Sequence, residues 1–394
     1  MDHPTGPQQA LAEHLRSDYH ALAADVGKSS PADWERKTCR ACLAGDLVEA
    51  LNLGDMPPAN SLLRPADLNK PEMRFPLSLR LCRQCGMMQL GHVVPASLLF
   101  RSYLFFTSSS DAMSDHFARL MSESAQQYVP PGGLVVEIGS NDGTALSSLR
   151  RRDVRVLGVD PARNIAVMAA ARGVPTVSEF FTEPLAREIA RVAGAAHLIV
   201  ACNVLGHIDD LDEVCRGLRT LLAPGGALVL EVPYLGDLIE RAEYDTIYHE
   251  HLSYFAVRPL NTLLNRHGLK LVRVQRFPVH GGTIRCTAVH GEGVDSSIAQ
   301  WIDRETSQGL SDPKAFEPLA RKVTGERAAL RKSLVDLVAA GKKVVGYGAP
   351  AKGTVVLNYC QIGTDLLPAV IDSTPAKQGW HVPGTHQPIL PPAA

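Results

Sequence analysis

Short apolar runs alternate with helical segments through the middle of the chain, from Leu134 onward. The runs LVVEIGS, VRVLGVD, HLIVACN and GALVLEVP predict strands, because each is short, apolar and bounded by turn residues. The segments ARNIAVMAAARG and LDEVCRGLRTLLAPGG lie between these runs and predict helices. Strands that alternate with helices in this way predict a parallel sheet with helices on both faces.

An insertion of about twenty-five residues, 234–258, separates GALVLEVP from the next predicted helix, PLNTLLNRHG, which is expected to start at Pro259. It contains YHEHLSYF at 248–255, where ionisable and hydroxylic side chains are unusually dense. Ligands of parallel sheets bind at the carboxyl ends of strands, and the insertion begins at such an end. We therefore expect 248–255 to lie over a ligand crevice. Strands LKLVRVQRF and TIRCTAVH follow, and the turn PVHGGT between them is expected on the same side.

A second, shorter α/β unit follows a helical region at 297–340. Its predicted elements are strand KKVVGYG, turn APAKG, helix TVVLNYCQIG and strand LLPAVID. The turn carries Gly346, Gly348 and Gly353, with Lys352 beside it. The N–H groups at the start of a helix attract phosphate, so the turn predicts a phosphate site or, alternatively, an ordinary connection.

Two C-x-x-C pairs near the N-terminus point to a metal. They are formed by Cys39 with Cys42 and by Cys82 with Cys85. In a large chain without an export signal such pairs indicate metal ligands rather than disulfides. Four thiolates suit a closed, structural, tetrahedral zinc site, and free buried thiols are the alternative. Few basic residues lie between the pairs, which disfavours a nucleic-acid-binding zinc ribbon.

Charge and hydropathy exclude several classes of protein. The 394 residues carry a formal net charge of −1, which gives no global field favouring nucleic acid or an anionic membrane. There is no apolar run of about eighteen residues, so no membrane span is predicted. The N-terminus lacks the basic and apolar regions of a secretory signal, and a cytoplasmic protein is expected.

The segment VVEIGSNDGT, followed by VLGVDP, predicts a nucleotide-type cofactor site. Gly139 and Gly143 bracket the turn after the first strand, and Asp160 ends the next strand, where an acid binds a ribose diol. The spacing departs from the G-x-G-x-x-G of NAD sites, and Glu137 precedes the first glycine. This form favours S-adenosylmethionine (SAM), with Glu137 near its cationic end and Asn141 within the turn.

A catalytic acid–base cluster is predicted from the insertion and from the loop after HLIVACN. Asn203 and His207 follow that strand and point to the crevice. The HEH sequence does not fit the H-E-x-x-H of zincins. A histidine can take a proton near neutral pH, Glu250 could orient an imidazole, and Tyr248 could donate to an oxyanion. The alternative is a hydrogen-bonded loop network.

Taken together, these motifs resemble the deoxysugar C-methyltransferase family, typified by enzymes that methylate C-3 of a thymidine-diphosphate (dTDP)-linked 4-keto sugar. The resemblance covers about residues 38–390. It is carried by the four cysteines, EIGSNDGT, NVLGHIDD, YHEHLSYF, HGGTIR and GYGAPAKG. It implies that a base removes the proton α to the ketone and that the enolate attacks the SAM methyl group.

The resemblance also implies roles for residues. His251 is expected as the base, Tyr248 or His207 as the group that polarises the ketone oxygen, and Glu250 as the group that fixes the histidine. His249 is expected to be structural. The expected substrate-binding residues are Tyr103, His280, Gly282, Arg285, Gly348 and Lys352. Of these, Lys352 and the glycine turn would hold the pyrophosphate, with Arg285 as a second candidate.

Two departures from the family pattern stand out. Members often have a second tyrosine where this chain has Phe105, and they continue beyond PGTHQPI, whereas this chain ends at Ala394. A trimmed or naturally short C-terminal unit with weaker nucleotide binding is therefore expected. The resemblance further implies a monomer, and a methyl-branched deoxysugar suggests antibiotic or surface-glycan biosynthesis.

The predicted fold class is α/β with three parts after an N-terminal extension at 1–30. A zinc-binding module at 31–104 precedes a class I SAM-dependent methyltransferase (Rossmann-like) domain at 105–296 and a smaller Rossmann-like nucleotide-sugar domain at 297–394. The alternatives are the same architecture acting on another acceptor, a zinc-ribbon binding module with a degenerate methyltransferase domain, and a nicotinamide oxidoreductase.

Overall fold

A computed structural model describes residues 34–96, 99, 107–149 and 153–393 of the chain. The predicted N-terminal extension, Tyr103 and Phe105 lie outside these residues. The described part contains three sheets, of four, seven and three strands.

The seven-stranded sheet confirms the predicted α/β domain. Its strands are β4 (Leu134–Ile138), β5 (Arg155–Val159), β6 (Thr176–Val177), β7 (Ala196–Cys202), β8 (Leu222–Pro233), β10 (Leu269–Phe277) and β11 (Thr283–His290). They lie in the order β10-β11-β8-β7-β4-β5-β6, and all are parallel except β11, which is antiparallel to both of its neighbours.

Among the described residues of this domain, seven α-helices follow or precede those strands. They are α1 (Asp111–Tyr128), α2 (Thr144–Ser147), α3 (Arg163–Ala171), α4 (Glu183–Ala193), α5 (Leu211–Leu221), α6 (Leu235–Arg241) and α7 (Val257–Arg266). Side-chain caps begin three of them, since Ser110, Thr182 and Asp210 each accept from a backbone N–H in the first turn. Helix α7 begins two residues before the predicted start at Pro259.

The core lies on both faces of the parallel strands. Val135 and Leu198 belong to the cluster that packs against α1, whereas Val136 and Ile199 belong to the cluster on the opposite face. Burying one such side chain contributes about 1.5–3 kcal/mol. Because β4 is buried along its whole length, the polar residues that follow it are held at a rigid edge.

The four-stranded sheet joins the zinc-binding module to the insertion. Strands β1 (Leu47–Met56), β2 (Phe75–Cys82) and β3 (Met88–Leu90) pair antiparallel, and β9 (Ser253–Tyr254) is added at the edge of β3. Strand β9 is part of YHEHLSYF. Backbone hydrogen bonds of the N-terminal module therefore position the stretch that carries the predicted catalytic residues.

The C-terminal unit has shorter strands than predicted. Its parallel sheet consists of β12 (Gly346–Tyr347), β13 (Val370–Ile371) and β14 (Ile389–Leu390). The helical region at 297–340 is two helices, α8 (Ser296–Ser307) and α9 (Glu317–Ala339). Gly309, at φ 73°, lies in the break between them, because this left-handed backbone ends an α-helix. Helix α10 (Ala351–Tyr359) begins earlier than predicted and includes Lys352.

Contacts tie the C-terminal unit to both other parts. Glu72 accepts from the Gly384 N–H at 2.8 Å and lies 2.6 Å from the Nε2 atom of His386. Tyr244 of the insertion lies against Cys360, with 3.7 Å between the hydroxyl oxygen and the sulfur. The insertion is therefore enclosed by the zinc-binding module on one side and the C-terminal unit on the other.

Within the described residues, no helix has the length and apolar character that a membrane crossing requires.

Candidate active site and metal centre

The four predicted metal ligands come together. The sulfur atoms of Cys39, Cys42, Cys82 and Cys85 all lie within 4.8 Å of one another. The Cys39–Cys85 sulfur distance is 3.5 Å, and the Cys42–Cys82 distance is 3.6 Å. Tetrahedral zinc with Zn–S bonds of about 2.3 Å places its sulfurs about 3.8 Å apart, so the cluster has the dimensions of a four-thiolate zinc site.

The protonation chemistry of the cluster also fits a dication. Hydrogen bonds between the thiols lower the pKa of Cys82 to about 2 and raise the pKa of Cys39 to about 12. The same neighbours raise the pKa of Cys85 above its usual range. Four thiols this close cannot all ionise without a counter-charge, which Zn²⁺ supplies, so metal binding and folding of the module are coupled.

The predicted SAM turn lies at the carboxyl end of β4. Gly139 has a φ of 67°, and a Cβ atom there would lie 2.2 Å from the side chain of Val204. Gly143 has a φ of 74° and caps α2. Only glycine fits the first of these positions, since both the backbone angle and the close approach exclude a side chain. Asn141 lies between them, at a φ of 47°.

Asp160, at the end of β5, holds this turn closed. Its two carboxylate oxygens accept from the N–H groups of Asn141, at 2.9 Å, and Ala162, at 3.0 Å. Burial raises the pKa of Asp160, and these two hydrogen bonds oppose that shift. A carboxylate has about four acceptor positions, so Asp160 can support the turn and still accept from a ribose diol.

Two carbonyl-type oxygen atoms at this edge, besides the Ser140 hydroxyl, are buried and have no hydrogen-bond partner among the described residues. They are Oε2 of Glu137, on β4, and Oδ1 of Asn203, after β7. Burial first, and then the Asp160 and Asp142 carboxylates, raise the pKa of Glu137 well above its ordinary value. Such acceptors suit the ammonium and hydroxyl donors of SAM. The residues present therefore fit the cofactor that the turn predicts.

His251 and His207 face each other beside the same edge. Their ring centroids are 4.9 Å apart, with an angle of 68° between the planes. Nδ1 of His251 donates to the Thr246 carbonyl at 2.7 Å, and Nδ1 of His207 donates to the Glu250 carbonyl at 2.7 Å. Burial lowers the pKa of His207 to about 4, and burial together with His207 lowers the pKa of His251 well below its ordinary value.

Tyr248 stacks on His251, whereas the side chain of Glu250 does not reach it. The ring centroids of Tyr248 and His251 are 4.0 Å apart. The Glu250 carboxylate instead accepts from the Asn60 side chain at 2.7 Å. The structure therefore does not show the expected contact between the Glu250 side chain and His251, whose Nδ1 donates to the Thr246 carbonyl instead.

Glu250 is nevertheless an unusual group. It is 1% exposed, and its Oε2 atom has no partner among the described residues. Burial raises its pKa to about 7, and the hydrogen bond from Asn60 opposes that shift only in part. His249 also lies toward the N-terminal module, where its Nε2 atom is 3.2 Å from the Phe75 carbonyl oxygen.

Arg285, the second candidate for the pyrophosphate, is buried and paired with a carboxylate in this structure. Its side chain is 8% exposed, and its Nε donates to Glu231 at 2.7 Å. The guanidinium also lies 4.3 Å from the centre of the Phe277 ring. His116 binds the same Glu231 carboxylate at 2.9 Å. Moving the Arg285 guanidinium away from Glu231 to bind an anion would leave a buried carboxylate without this partner.

The turn between β10 and β11 holds two further predicted residues. His280 has a φ of 51° and is exposed. At Gly282, a Cβ atom would lie 2.2 Å from the Asp237 carboxylate, and φ is 125°. This glycine is thus required by close packing on Asp237, which is a structural role that differs from the predicted contact with substrate.

The predicted phosphate turn lies on the C-terminal unit, facing the insertion. Gly348 has a φ of 92°, and Lys352 lies in the first turn of α10. The Lys352 ammonium is 3.8 Å from the Asp245 carboxylate and is 42% exposed. Its positive charge contributes to lowering the pKa of His251. A cation on the C-terminal unit therefore lies close to the histidine pair.

Three contributors to the site were not predicted from the sequence. Thr246 acts through its backbone carbonyl, which leaves no signal in residue type. Asn60 lies far from the insertion in sequence, although it falls in a loop of polar and turn residues, PPANS. Arg40 lies between two metal ligands, and a charged residue within a C-x-x-C pair is a signal that could have been noticed.

Comparison with known families covers most of the chain. A zinc binding domain matches residues 39–100, a methyltransferase domain matches 111–274, and a C-methyltransferase C-terminal domain matches 278–394. The chain is similar to the C-methyltransferase NovU of Streptomyces niveus, with 38% identity over 358 residues. The match covers 90% of this chain and 85% of the relative.

Solved structures also resemble parts of the chain. The N-methyltransferase NodS of Bradyrhizobium japonicum is 16% identical, with a TM-score of 0.34, over 45% of this chain and 96% of that one. The SAM-bound magnesium protoporphyrin IX methyltransferase of Synechocystis is 14% identical, with a TM-score of 0.35, over 48% and 86%. The family assignment rests on the extended match to NovU and on the three domain models. The chain therefore belongs to the SAM-dependent C-methyltransferase family.

Proposed function

We propose that this enzyme removes the proton α to the ketone of a dTDP-linked 4-keto deoxysugar and methylates that carbon, C-3. The observation that carries the proposal is the tautomer of His251. Because Nδ1–H donates to the Thr246 carbonyl at 2.7 Å, Nε2 of the neutral ring keeps its lone pair. A carbon beside a ketone needs such a base to become a nucleophile.

The surroundings of His251 keep it ready to accept a proton. Burial and the neighbouring His207 lower its pKa, so the ring is neutral at pH 7. Its Nε2 has no hydrogen-bond partner among the residues that the structure describes, and the residue remains partly exposed. General base catalysis of this kind typically contributes roughly 10²–10⁴-fold to the rate.

Tyr248 is the better of the two groups expected to polarise the ketone oxygen. The ring of His207 is already engaged with the backbone at Glu250 and Asn203. Tyr248 stacks on the base at 4.0 Å, so its hydroxyl group belongs to the same small volume. A phenol that donates to the developing enolate oxygen stabilises it without carrying a charge itself. We therefore assign the ketone oxygen to Tyr248, with His207 as a positioning residue.

Nε2 of His251 takes the α proton, and the electron pair of the C–H bond forms the enolate. The α carbon then forms a bond to the methyl carbon while the bond between that carbon and the SAM sulfur breaks, which leaves S-adenosylhomocysteine. The enolate returns to a ketone, and His251 releases its proton to solvent.

The cofactor site supports this arrangement. When bound, SAM supplies an electrophilic methyl group on its sulfonium. The unpartnered oxygen atoms of Glu137 and Asn203 offer acceptors to its ammonium and ribose groups, and Asp160 shapes the turn. Both β4 and β7 end at this edge, near the loop that carries His207, so the cofactor site and the histidine pair share one crevice.

The nucleotide of the substrate is assigned to the C-terminal unit. Lys352, in the first turn of α10, is partly exposed and close enough to His251 to influence its pKa. A pyrophosphate held there by Lys352 and the N–H groups of α10 would place the attached sugar toward His251. The family resemblance favours a monomer as the active form.

A labelled-product experiment with a ligand series tests the assignment. Methyl-labelled SAM and a dTDP-4-keto-6-deoxysugar should give a product with the label on carbon, located at C-3 by NMR. Thermal unfolding with dTDP and with UDP then tests the nucleotide, since a ligand at about 100 times its Kd adds about 2.7 kcal/mol. A shift with SAM but with neither nucleotide, together with no labelled sugar, would reject the sugar in favour of another acceptor.

A further inference from the structure

A buried arginine links the metal centre to the loops that carry both histidines. Arg40 lies within the zinc knuckle, defined as residues 39–42, and its side chain is 0% exposed. Its Nε donates to Asp209 at 2.9 Å, and its Nη2 lies 2.8 Å from the same carboxylate oxygen. Its Nη1 donates to the carbonyl groups of Leu90, at 3.2 Å, and Leu252, at 3.3 Å.

Two of these partners are close in sequence to the histidine pair. Leu252 directly follows His251, and Asp209 lies two residues after His207. The Leu252 N–H donates to the Gly206 carbonyl at 2.6 Å, which ties the two loops to each other. Arg40 therefore contacts both loops from the side of the zinc knuckle, and the hydrogen bond from Leu252 to Gly206 joins the two loops directly.

Burying the Arg40 guanidinium has a large desolvation cost, which indicates a role beyond folding. A guanidinium with no exposure loses its hydration, and its partner Asp209 is itself 40% exposed. An apolar side chain of similar volume could fill the same space at lower cost. The fork of an arginine, in contrast, can bind a carboxylate and two carbonyl groups at fixed angles. Such geometry matters most where an orientation must be set accurately.

We propose that Arg40 is a positioning residue for methyl transfer, which transmits the geometry of the zinc knuckle to the rings of His207 and His251. The inference rests on the proposed role of His251 as the base. It implies that zinc does more than fold the N-terminal module: an ordered knuckle is required for the two imidazoles to keep their relative orientation. A misplacement of about 1 Å at such a site can cost on the order of 10² in rate.

The chain offers a matched control at the same knuckle. Arg266 also bridges this knuckle and the methyltransferase domain, since its Nη1 donates to the Ala41 carbonyl at 2.8 Å and pairs with Asp212 at 2.9 Å. This bridge ends on helices α5 and α7 and does not contact Leu252 or Asp209. Loss of the Arg266 bridge should therefore weaken the interface without moving the histidines.

The test compares Arg40→Lys, Asp209→Asn and Arg266→Lys in the zinc-loaded full chain. Zinc content and thermal unfolding report on the knuckle. The ¹⁵N resonances of the labelled imidazoles report on the tautomer and environment of His251 without any substrate. For Arg40→Lys we expect one zinc per chain, shifted His251 resonances, and a kcat lowered by roughly 10- to 100-fold at unchanged KM. Arg266→Lys should resemble the wild type in zinc content, His251 resonances and kcat.

Two outcomes would overturn the proposal. The first is an Arg40→Lys protein whose His251 resonances and kcat match those of Arg266→Lys. If Arg40→Lys loses zinc, Asp209→Asn, which leaves the knuckle sequence intact, takes its place. The second outcome is then an Asp209→Asn protein whose His251 resonances and kcat match those of Arg266→Lys. If the wild type fails to methylate any keto-sugar, the resonances alone still decide whether Arg40 sets the histidine geometry, so the two failures are distinguishable.

Discussion

The imidazole rings of His207 and His251 lie 4.9 Å apart, and both Nδ1 atoms donate to backbone carbonyl groups. The backbone thus fixes the tautomer of each ring. Burial lowers the pKa of both imidazoles, and His207 lowers the pKa of His251 further. In this arrangement a backbone carbonyl group, and not a neighbouring carboxylate, orients the proposed base.

The pH profile of methyl transfer should follow from that neutrality. The pKa of His207 is lowered to about 4 and that of His251 is also below its ordinary value, so the base stays unprotonated as the pH falls through 6.5. We expect the His251-dependent limb of kcat/KM to lie below the ordinary histidine pKa of about 6.5. The measurement uses Glu250→Gln as background, because Glu250 titrates near pH 7. A limb at pH 6.5 or above in that background would contradict the assignment.

Glu250→Gln should change how stability depends on pH. The folded-state pKa of Glu250 is raised to about 7, so its contribution to stability is complete below pH 4.5 and is lost as the pH rises through 7. The variant cannot ionise, and relative to the wild type it should gain up to about 3 kcal/mol between pH 5 and pH 8. Denaturant unfolding at both pH values measures the gain. The exposed Glu292→Gln serves as control, and an equal pH dependence in all three proteins would refute the prediction.

Replacing one zinc ligand should remove the metal and loosen the insertion. Cys82→Ser leaves three thiols, and β9 of the insertion is paired with the same sheet through β3. We expect less than one zinc per chain by metal analysis, and faster amide exchange at residues 253 and 254. Cys215→Ala, in the core away from the cluster, should cost stability but keep the zinc. Full zinc content in Cys82→Ser would be incompatible with a four-thiolate site.

Glu137→Gln should weaken SAM binding. The carboxylate has an unpartnered buried oxygen that can accept from a cationic ligand, and the amide replaces that acceptor with a donor or a neutral group. A charge-assisted hydrogen bond is worth about 1.5–3 kcal/mol, so the Kd should rise by roughly 10- to 100-fold by titration calorimetry. Glu188→Gln, on the surface of α4, provides the control. An unchanged Kd in Glu137→Gln would remove Glu137 from the cofactor site.

The elements that the sequence predicted well are those whose signal is local. The parallel strands, the two C-x-x-C pairs and the glycine turn each depend on short stretches, and the turn at Gly139 demands a residue without a side chain. The order of the strands and the enclosure of the insertion arise from contacts distant in sequence, such as the bridge between Glu72 and His386.

The expected contacts that the structure does not show concern partners rather than residue types. Arg285 has the charge that a pyrophosphate requires, but Glu231 already uses it. Glu250 has the carboxylate that could orient a histidine, but its partner is Asn60, from the N-terminal module. The orienting group of His251 is a carbonyl that every residue possesses. A sequence identifies which groups are available, while the fold determines which of them meet.

The most direct test of the account is a hydrogen-exchange and methyl-transfer assay in deuterated buffer. Wild type and His251→Asn would each be incubated with the dTDP-4-keto-6-deoxysugar, once without SAM and once with methyl-labelled SAM. The account predicts that wild type exchanges the α proton without SAM and transfers the label with it. It predicts that His251→Asn binds SAM normally but does neither. Exchange and transfer at wild-type rates in His251→Asn would show that another group is the base.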